Sequence, residues 1–239
     1  MSLAAILATA ALASSASATP LGLNLIVNPG AEGSVGAANL VSAIAAPAGW
    51  ITTSNFSAVQ YAVGGPPDLN NSDSSAIGGG LNYFSGGPTN ALSTATQSIS
   101  FDDLAADVDA GKISFLLSGY LGAWGAQADA MTVKATFLNE ANGILLSSII
   151  GPVTSAARGG VSQLLFATSG LATVPAGARS VSIAMTATRA EGNYNDAYAD
   201  NLSLLFQEPD SPAAVPEPAT VSLLGVGVAA LLARRWKRS

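Results

Sequence analysis

The 239-residue sequence predicts an all-β protein: a single antiparallel β-sandwich with one short helix, followed by a C-terminal transmembrane helix. Three observations carry that prediction. Short apolar runs alternate with Gly, Asn, Ser and Pro breakers, the rhythm of many strands and few helices. Several runs alternate with period two, which places one face in a core and the other toward water. Nowhere does a strand alternate regularly with a helical stretch, so a parallel α/β sheet is excluded.

In chain order, residues 1–18 read as a secretory signal peptide. Leu3 to Leu12 form a small apolar core, and Ala16-Ser17-Ala18 fits the small-x-small cleavage pattern. No Lys or Arg precedes Lys112, so only the amino terminus supplies positive charge there. The competing reading is an Ala-rich first strand or helix. Residues 19–206 form the sandwich. Its candidate strands are Leu23–Val27, Ala58–Val63, Leu92–Phe101, Ile113–Tyr120, Met131–Leu138, Ile144–Ile150, Gln163–Ser169, Ser180–Ala187 and Asp200–Phe206. Met131, Val133, Ala135 and Phe137 share one face, as do Val181, Ile183 and Met185. A short helix is predicted at Asp102–Ala110. Leu104 and Val108 make an i,i+4 pair there, Asp102 or Asp103 can cap it, and Gly111 can end it. Asn139 to Gly143 reads as a hairpin loop. Gly64-Gly65-Pro66-Pro67 and Ser85-Gly86-Gly87-Pro88 read as breakers inside long loops.

Residues 207–218 are a Pro-rich linker, and 219–239 a membrane helix with a basic tail. The uncharged run Ala219 to Ala233 makes a helix of about 22 Å. A bilayer core is about 30 Å thick, so the run is short for a permanent anchor. Trp236 and the long basic side chains can reach the headgroups. Four of the nine Lys and Arg are Arg234, Arg235, Lys237 and Arg238, which hold this end in the cytoplasm and put the body outside. Pro216 and Pro218 keep the preceding segment extended.

Val215-Pro216-Glu217-Pro218-Ala219, the Leu/Gly/Val-rich helix and the Arg-Arg-Trp-Lys-Arg end resemble the PEP-CTERM sorting signal. The sorting residues are Pro216, Glu217, Pro218, Arg234, Arg235, Lys237 and Arg238. The resemblance implies export in a Gram-negative bacterium and processing by an exosortase, a membrane enzyme. It further implies a precursor anchored in the inner membrane and a mature protein at the cell surface or in a biofilm matrix. The alternative is an ordinary tail anchor.

Composition narrows the body's chemistry. Nine cations less the four in the tail, against fifteen anions, leave the body near −10. That surface argues against nucleic acid and anionic membranes as partners. With no Cys and no His there are no disulfides, no Ser-His-Asp or Cys-His triads and no zinc sites of the His/Cys type. A carboxylate-pair glycosidase stays formally open.

Asn24-Leu25-Ile26-Val27-Asn28-Pro29-Gly30-Ala31-Glu32 and Asp196-Ala197-Tyr198-Ala199-Asp200-Asn201-Leu202-Ser203-Leu204 resemble the first and last strands of galactose-binding-like jelly rolls, the fold of many carbohydrate-binding modules. The resemblance implies that these two segments lie side by side and that Glu32 and Asp200 help bind a structural Ca²⁺, with backbone carbonyls near Asn28 and Gly30 completing the oxygen shell. Otherwise Glu32 caps a turn and Asp200 is a strand-end acceptor.

A glycan site needs aromatic faces beside planar polar groups. The candidates are Tyr120, Trp124, Gln127 and Asp129 together with Asn193, Tyr194, Asn195 and Asp196. Against this, Trp50 and Trp124 can be core anchors, and Asn and Asp can simply shape turns. Asp102/Asp103 and Asp107/Asp109 read as a solvated helix start, because adjacent residues do not face each other. The expected protein is therefore a non-enzymatic surface or matrix protein that binds glycan or packs within exopolysaccharide. The alternatives are a purely structural matrix or adhesion protein and, third, a carboxylate-based carbohydrate-active enzyme.

Overall fold

A computed structural model describes residues 18–40, 44–61 and 69–208. The signal-peptide segment, the Gly64–Pro67 breaker, the sorting residues and the predicted membrane helix lie outside the described residues. Among the described residues no helix is long and apolar enough to cross a membrane.

Among the described residues ten strands form two five-stranded antiparallel sheets. They are β1 (Ile51–Thr53), β2 (Ser57–Gln60), β3 (Asn82–Pro88), β4 (Leu92–Ser100), β5 (Ser114–Ala123), β6 (Ala130–Asn139), β7 (Ile144–Ile150), β8 (Gln163–Thr173), β9 (Ala178–Thr188) and β10 (Tyr194–Gln207). The first sheet has the order β1-β4-β9-β6-β7 and the second β2-β3-β10-β5-β8. Two short helices interrupt the strands: α1 (Asn71–Ile77), and α2 (Ala105–Asp109) entered through a 3-10 turn at Asp102–Leu104.

The alternation read from the sequence is what closes the sandwich. Met131, Val133, Ala135 and Phe137 of β6 and Val181, Ile183 and Met185 of β9 are all buried. They meet Phe84, Phe115, Leu117, Leu121, Ala199, Leu204 and Phe206 from the second sheet. Phe101, Phe137 and Phe206 pack ring against ring, with Phe101 edge-on to Phe206 at 5.0 Å. Burying such a side chain contributes roughly 1.5–3 kcal/mol, so in this disulfide-free body the core carries the stability.

Three local expectations are corrected. Ser85-Gly86-Gly87-Pro88 is no loop; it is the C-terminal half of β3. Glycine is required there by close approach, since a Cβ on Gly86 would run into the Asn195 side chain and one on Gly87 into the Asn55 carbonyl. Leu23–Val27 is not a regular strand but a single bridge, Asn24 to Leu205. The Asn24 side chain replaces part of the ladder, donating to Leu202 O and accepting from Leu204 N. The helix at 102–109 forms, with Val108 buried and Gly111 turning left-handed after it, but neither Asp102 nor Asp103 caps it. Asp102 instead accepts from Ser100 Oγ, and Asp103 from Thr19.

Helix α1 was not legible as a helix. Its Asn70–Asp73 capping box holds the start, with Asn70 accepting from Ser72 N and Asp73 accepting from Asn70 N. Leu40, Leu69 and Ile77 gather over the outer face of the second sheet and bury Val59, Tyr61, Tyr83 and Tyr198 in a second, smaller core.

Candidate functional site

Two places bring predicted residues together. The first is where the chain's opening segment meets β10. Gly22 N donates to Phe206 O and Leu25 N to Leu204 O, and Leu202 N donates to Pro29 O. The two ends of the domain therefore lie side by side, and Glu32 and Asp200 arrive at one locus. Asp200 is fully buried. Its Oδ2 accepts from the Tyr61 hydroxyl at 2.5 Å and its Oδ1 from Asn201 N at 2.6 Å. Burial pushes its pKa up to about 7; the Tyr61 and Asn201 hydrogen bonds pull down and the nearby Glu32 charge pushes up. The Tyr61 hydroxyl is pushed far above its usual value, by burial first and by Asp200 next. Glu32 accepts from Leu81 N at 2.9 Å and Asn82 N at 2.8 Å through one oxygen, Oε1.

Glycines make this approach feasible. A Cβ on Gly30 would sit 3.0 Å from Asp200 Oδ1, 3.5 Å from Asn201 Oδ1 and 3.9 Å from Glu32 Cγ. One on Gly79 would strike Asp200, and one on Gly80 would strike Glu32. Three non-glycine residues around the same point, Asn28, Ala31 and Asn201, have φ of 49°, 61° and 46°. Left-handed backbone costs a residue like Ala31 of order 1 kcal/mol, and such strain clusters at ligand clamps. The donors are all oxygen, as calcium prefers: two carboxylates, the Asn201 amide and neighbouring carbonyls. The Asn28 carbonyl is already used by the Trp50 indole N–H at 3.2 Å, whereas none of the hydrogen bonds in the described region ends on the Gly30 carbonyl. Among the described residues no three acidic or His side chains come together. A cation here would lean on backbone and amide oxygens.

The second place is the turn pair 124–129 and 190–196. Asp129, Asn195 and Asp196 are buried and serve the fold. Asp129 Oδ1 accepts from Ala190 N and Glu191 N, and its Oδ2 accepts from Asp196 N. Asn195 Nδ2 donates to Ala187 O. Asn193 offers its carbonyl to Arg189, and Gln127 packs on Gly192. Tyr194 is half-buried. Arg158, itself buried, fixes the turn from inside by donating to the carbonyls of Ala123, Gly125, Gln127 and Val161.

The aromatic half of the predicted cluster stands differently. Tyr120 and Trp124 are half-buried on the outer face of the second sheet. Beside them is Phe166, which the sequence reading passed over: 58% exposed, its ring 5.4 Å from Tyr120 and edge-on to it. A row of rings crosses this face, one at or beside each strand: Tyr61 after β2, Tyr83 on β3, Tyr198 on β10, Tyr120 on β5 and Phe166 on β8. Tyr61 and Tyr83 lie 4.9 Å apart, and Tyr83 and Tyr198 5.2 Å apart. α1 and its neighbours cover those three; Tyr120, Trp124 and Phe166 stay open. Trp50 is a core anchor, edge-on to Phe84 at 5.6 Å.

Beyond the described fold, residues 214–238 match the model of the PEP-CTERM protein-sorting motif. The C-terminus of this chain is a sorting signal. The motif marks an exported protein that is processed at a membrane. It spans the Pro-Glu-Pro box and the basic end and says nothing of the sandwich. No curated protein sequence matches the chain. Among solved structures, the enzymatically active domain of bacteriophage CBA120 tailspike protein 4 is 14% identical, with a TM-score of 0.45, covering 78% of this chain and 21% of its own. The Stig cyclase Fisc from Fischerella sp. TAU is 12% identical, with a TM-score of 0.48, covering 78% of this chain and 98% of its own. The CBM22-1 xylan-binding domain of Paenibacillus barcinonensis Xyn10C is 13% identical, with a TM-score of 0.37, covering 70% and 91%. The chain thus spans about a fifth of the tailspike domain's length.

Proposed function

We propose that this is an exported surface or matrix protein, released to its destination by an exosortase acting on the PEP-CTERM tail, whose sandwich holds a neutral exopolysaccharide on the open end of the aromatic row. The observation that carries the reading is the exposed Phe166 ring beside Tyr120, with Trp124 on the same face. Sugar rings present C–H faces that stack on such aromatics, and open aromatic faces on a rigid sheet suit a chain better than a small ligand. A body of net charge near −10 favours uncharged chains over uronic-acid polymers. The reading is non-catalytic. Asp107 pairs with Lys112 and Asp109 with Arg179, and Asp129 is spent on backbone N–H groups.

The proposal includes a structural Ca²⁺ held by Glu32, Asp200, Asn201 and nearby carbonyls. It would neutralise the buried Asp200 carboxylate and fasten the opening segment to β10. A glycan array probed with residues 18–208, which contain the residues of both hydrophobic cores, tests the main reading. Binding to neutral polysaccharides that is lost in Trp124→Ala/Phe166→Ala supports it. Absence of binding to every polysaccharide leaves the purely structural matrix role.

A further inference from the structure

The segment after Glu32 arches over the start of β3 and leaves a cavity at the far end of the aromatic row. Ala37 bridges Val59 in parallel, Gln60 N donates to Ala37 O, and Gln60 Nε2 donates to Gly36 O. Gly36 lies so close to Asn82 that any side chain there would collide with it. Between this arch and Leu81 is a space of about 420 Å³, within the size range of small-molecule sites.

Its lining is divided by chemistry. Val35 and Leu81 stand 87% and 74% exposed and form apolar walls with the Tyr61 ring. Polar groups with unused capacity face the same space. Glu32 spends only Oε1 on the Leu81 and Asn82 amides; its Oε2, which a Ca²⁺ beside Asp200 would share, keeps a second lone pair for a hydroxyl. Gln60 spends only its amide N–H, which leaves Oε1. Ser34 Oγ accepts from Ala48 N and keeps its proton to donate. Among the described residues no Lys or Arg lines the cavity. The charged group in the lining is a carboxylate, and Ser34 and Asn71 add donors to the acceptors of Glu32 and Gln60, so phosphates and uronates are repelled while a neutral polyhydroxyl ligand is matched. Apolar walls and hydrogen-bonding groups lining one cavity fit a ring with a C–H face and several hydroxyls.

We infer that this cavity is a second binding site, separate from the Trp124–Phe166 strip, which takes one neutral sugar unit. The strip suits the side of a chain; the cavity suits a terminal or branching residue. The site stands on its own geometry and does not need the strip to bind.

The test is an amide NMR titration of residues 18–208 with D-glucose, D-galactose, D-mannose and, separately, D-glucuronate, taken to about 50 mM because single-sugar sites bind near the millimolar level. At least one neutral sugar should shift the Gly36, Gln60, Leu81 and Asn82 amides saturably, and glucuronate should not. Val35→Asp and Leu81→Asp alter side chains that are already solvent-exposed, so folding is preserved. Each should weaken the neutral sugar at least about tenfold. Trp124→Ala/Phe166→Ala should leave this titration unchanged. The inference is overturned if none of the three sugars moves those amides, if glucuronate binds as well as they do, if both Asp variants bind like the parent, or if the strip variant abolishes the response.

Discussion

Arg158 is a buried guanidinium whose hydrogen bonds all go to backbone carbonyls, those of Ala123, Gly125, Gln127 and Val161. It is the fork geometry that matters, because a planar guanidinium can serve four oxygens at once. Arg158→Ala would strand those carbonyls, and each buried orphan costs about 1–3 kcal/mol. Urea unfolding should show a loss of at least about 3 kcal/mol, with Arg158→Lys recovering only part; a loss too small to measure would mean that water replaces the guanidinium. Asp109 is the contrasting surface case. Arg179 grips it with two nitrogens, at 2.7 and 3.0 Å, and Gly177 N adds a third bond. These hold its carboxyl below the usual carboxylate range, the Arg179 hydrogen bond first. A depressed acid adds stability above its unfolded pKa, and that stability is lost as pH falls through the folded value. The carboxyl carbon should therefore titrate below the ordinary aspartate value of 3.8 and return toward it in Arg179→Gln. Stability should hardly change, because exposed pairs are worth little. A titration at the ordinary value in the parent protein would contradict the pairing.

Secondary-structure elements show where the sequence is readable and where it is not. β4, β6, β7 and β9 follow the period-two pattern because each buries one face against a continuous core. β3 breaks the pattern: its Gly86 and Gly87 make room for Asn195 and the Asn55 carbonyl, contacts from distant segments that no local window contains. The structural use of Asp129 in the candidate glycan cluster was hidden for a similar reason. A carboxylate that organises a turn, as Asp129 does, looks the same in sequence as one awaiting a ligand. Phe166 was hidden because an apolar residue in a strand reads as core until the sheet shows which face is covered. Glu32 and Asp200 were legible only as a pair of terminal-strand motifs, and their meeting follows from the opening segment lying along β10. That junction carries the calcium prediction. Saturating Ca²⁺ should raise the melting temperature of residues 18–208 by several degrees relative to chelator, as expected for a ligand bound only by the native state. Asp200→Asn should remove the increment. Calorimetry showing the same melting temperature with and without Ca²⁺ would remove the ion from the account.

At the scale of the whole molecule, a C-terminal tail and a body divide the work. The C-terminal motif at 214–238 is a sorting signal. Before it sits an acidic sandwich without cysteine or histidine, stabilised by an aromatic and aliphatic core, with a second small core of tyrosines under α1. The tyrosine core and the open aromatics belong to one row, so the same sheet face is partly covered and partly offered to solvent. That arrangement braces the open part: Tyr120 and Trp124 pack against the second core, and Phe166 against Tyr120. A preorganised aromatic surface loses little entropy on binding a polymer. The most direct test is affinity electrophoresis through gels cast with the producing cell's neutral polysaccharide, comparing the parent, Trp124→Ala/Phe166→Ala and the cavity variant Val35→Asp. The parent and Val35→Asp should be retarded and the aromatic double variant should run freely; equal mobility of all three proteins would contradict the assignment of this face.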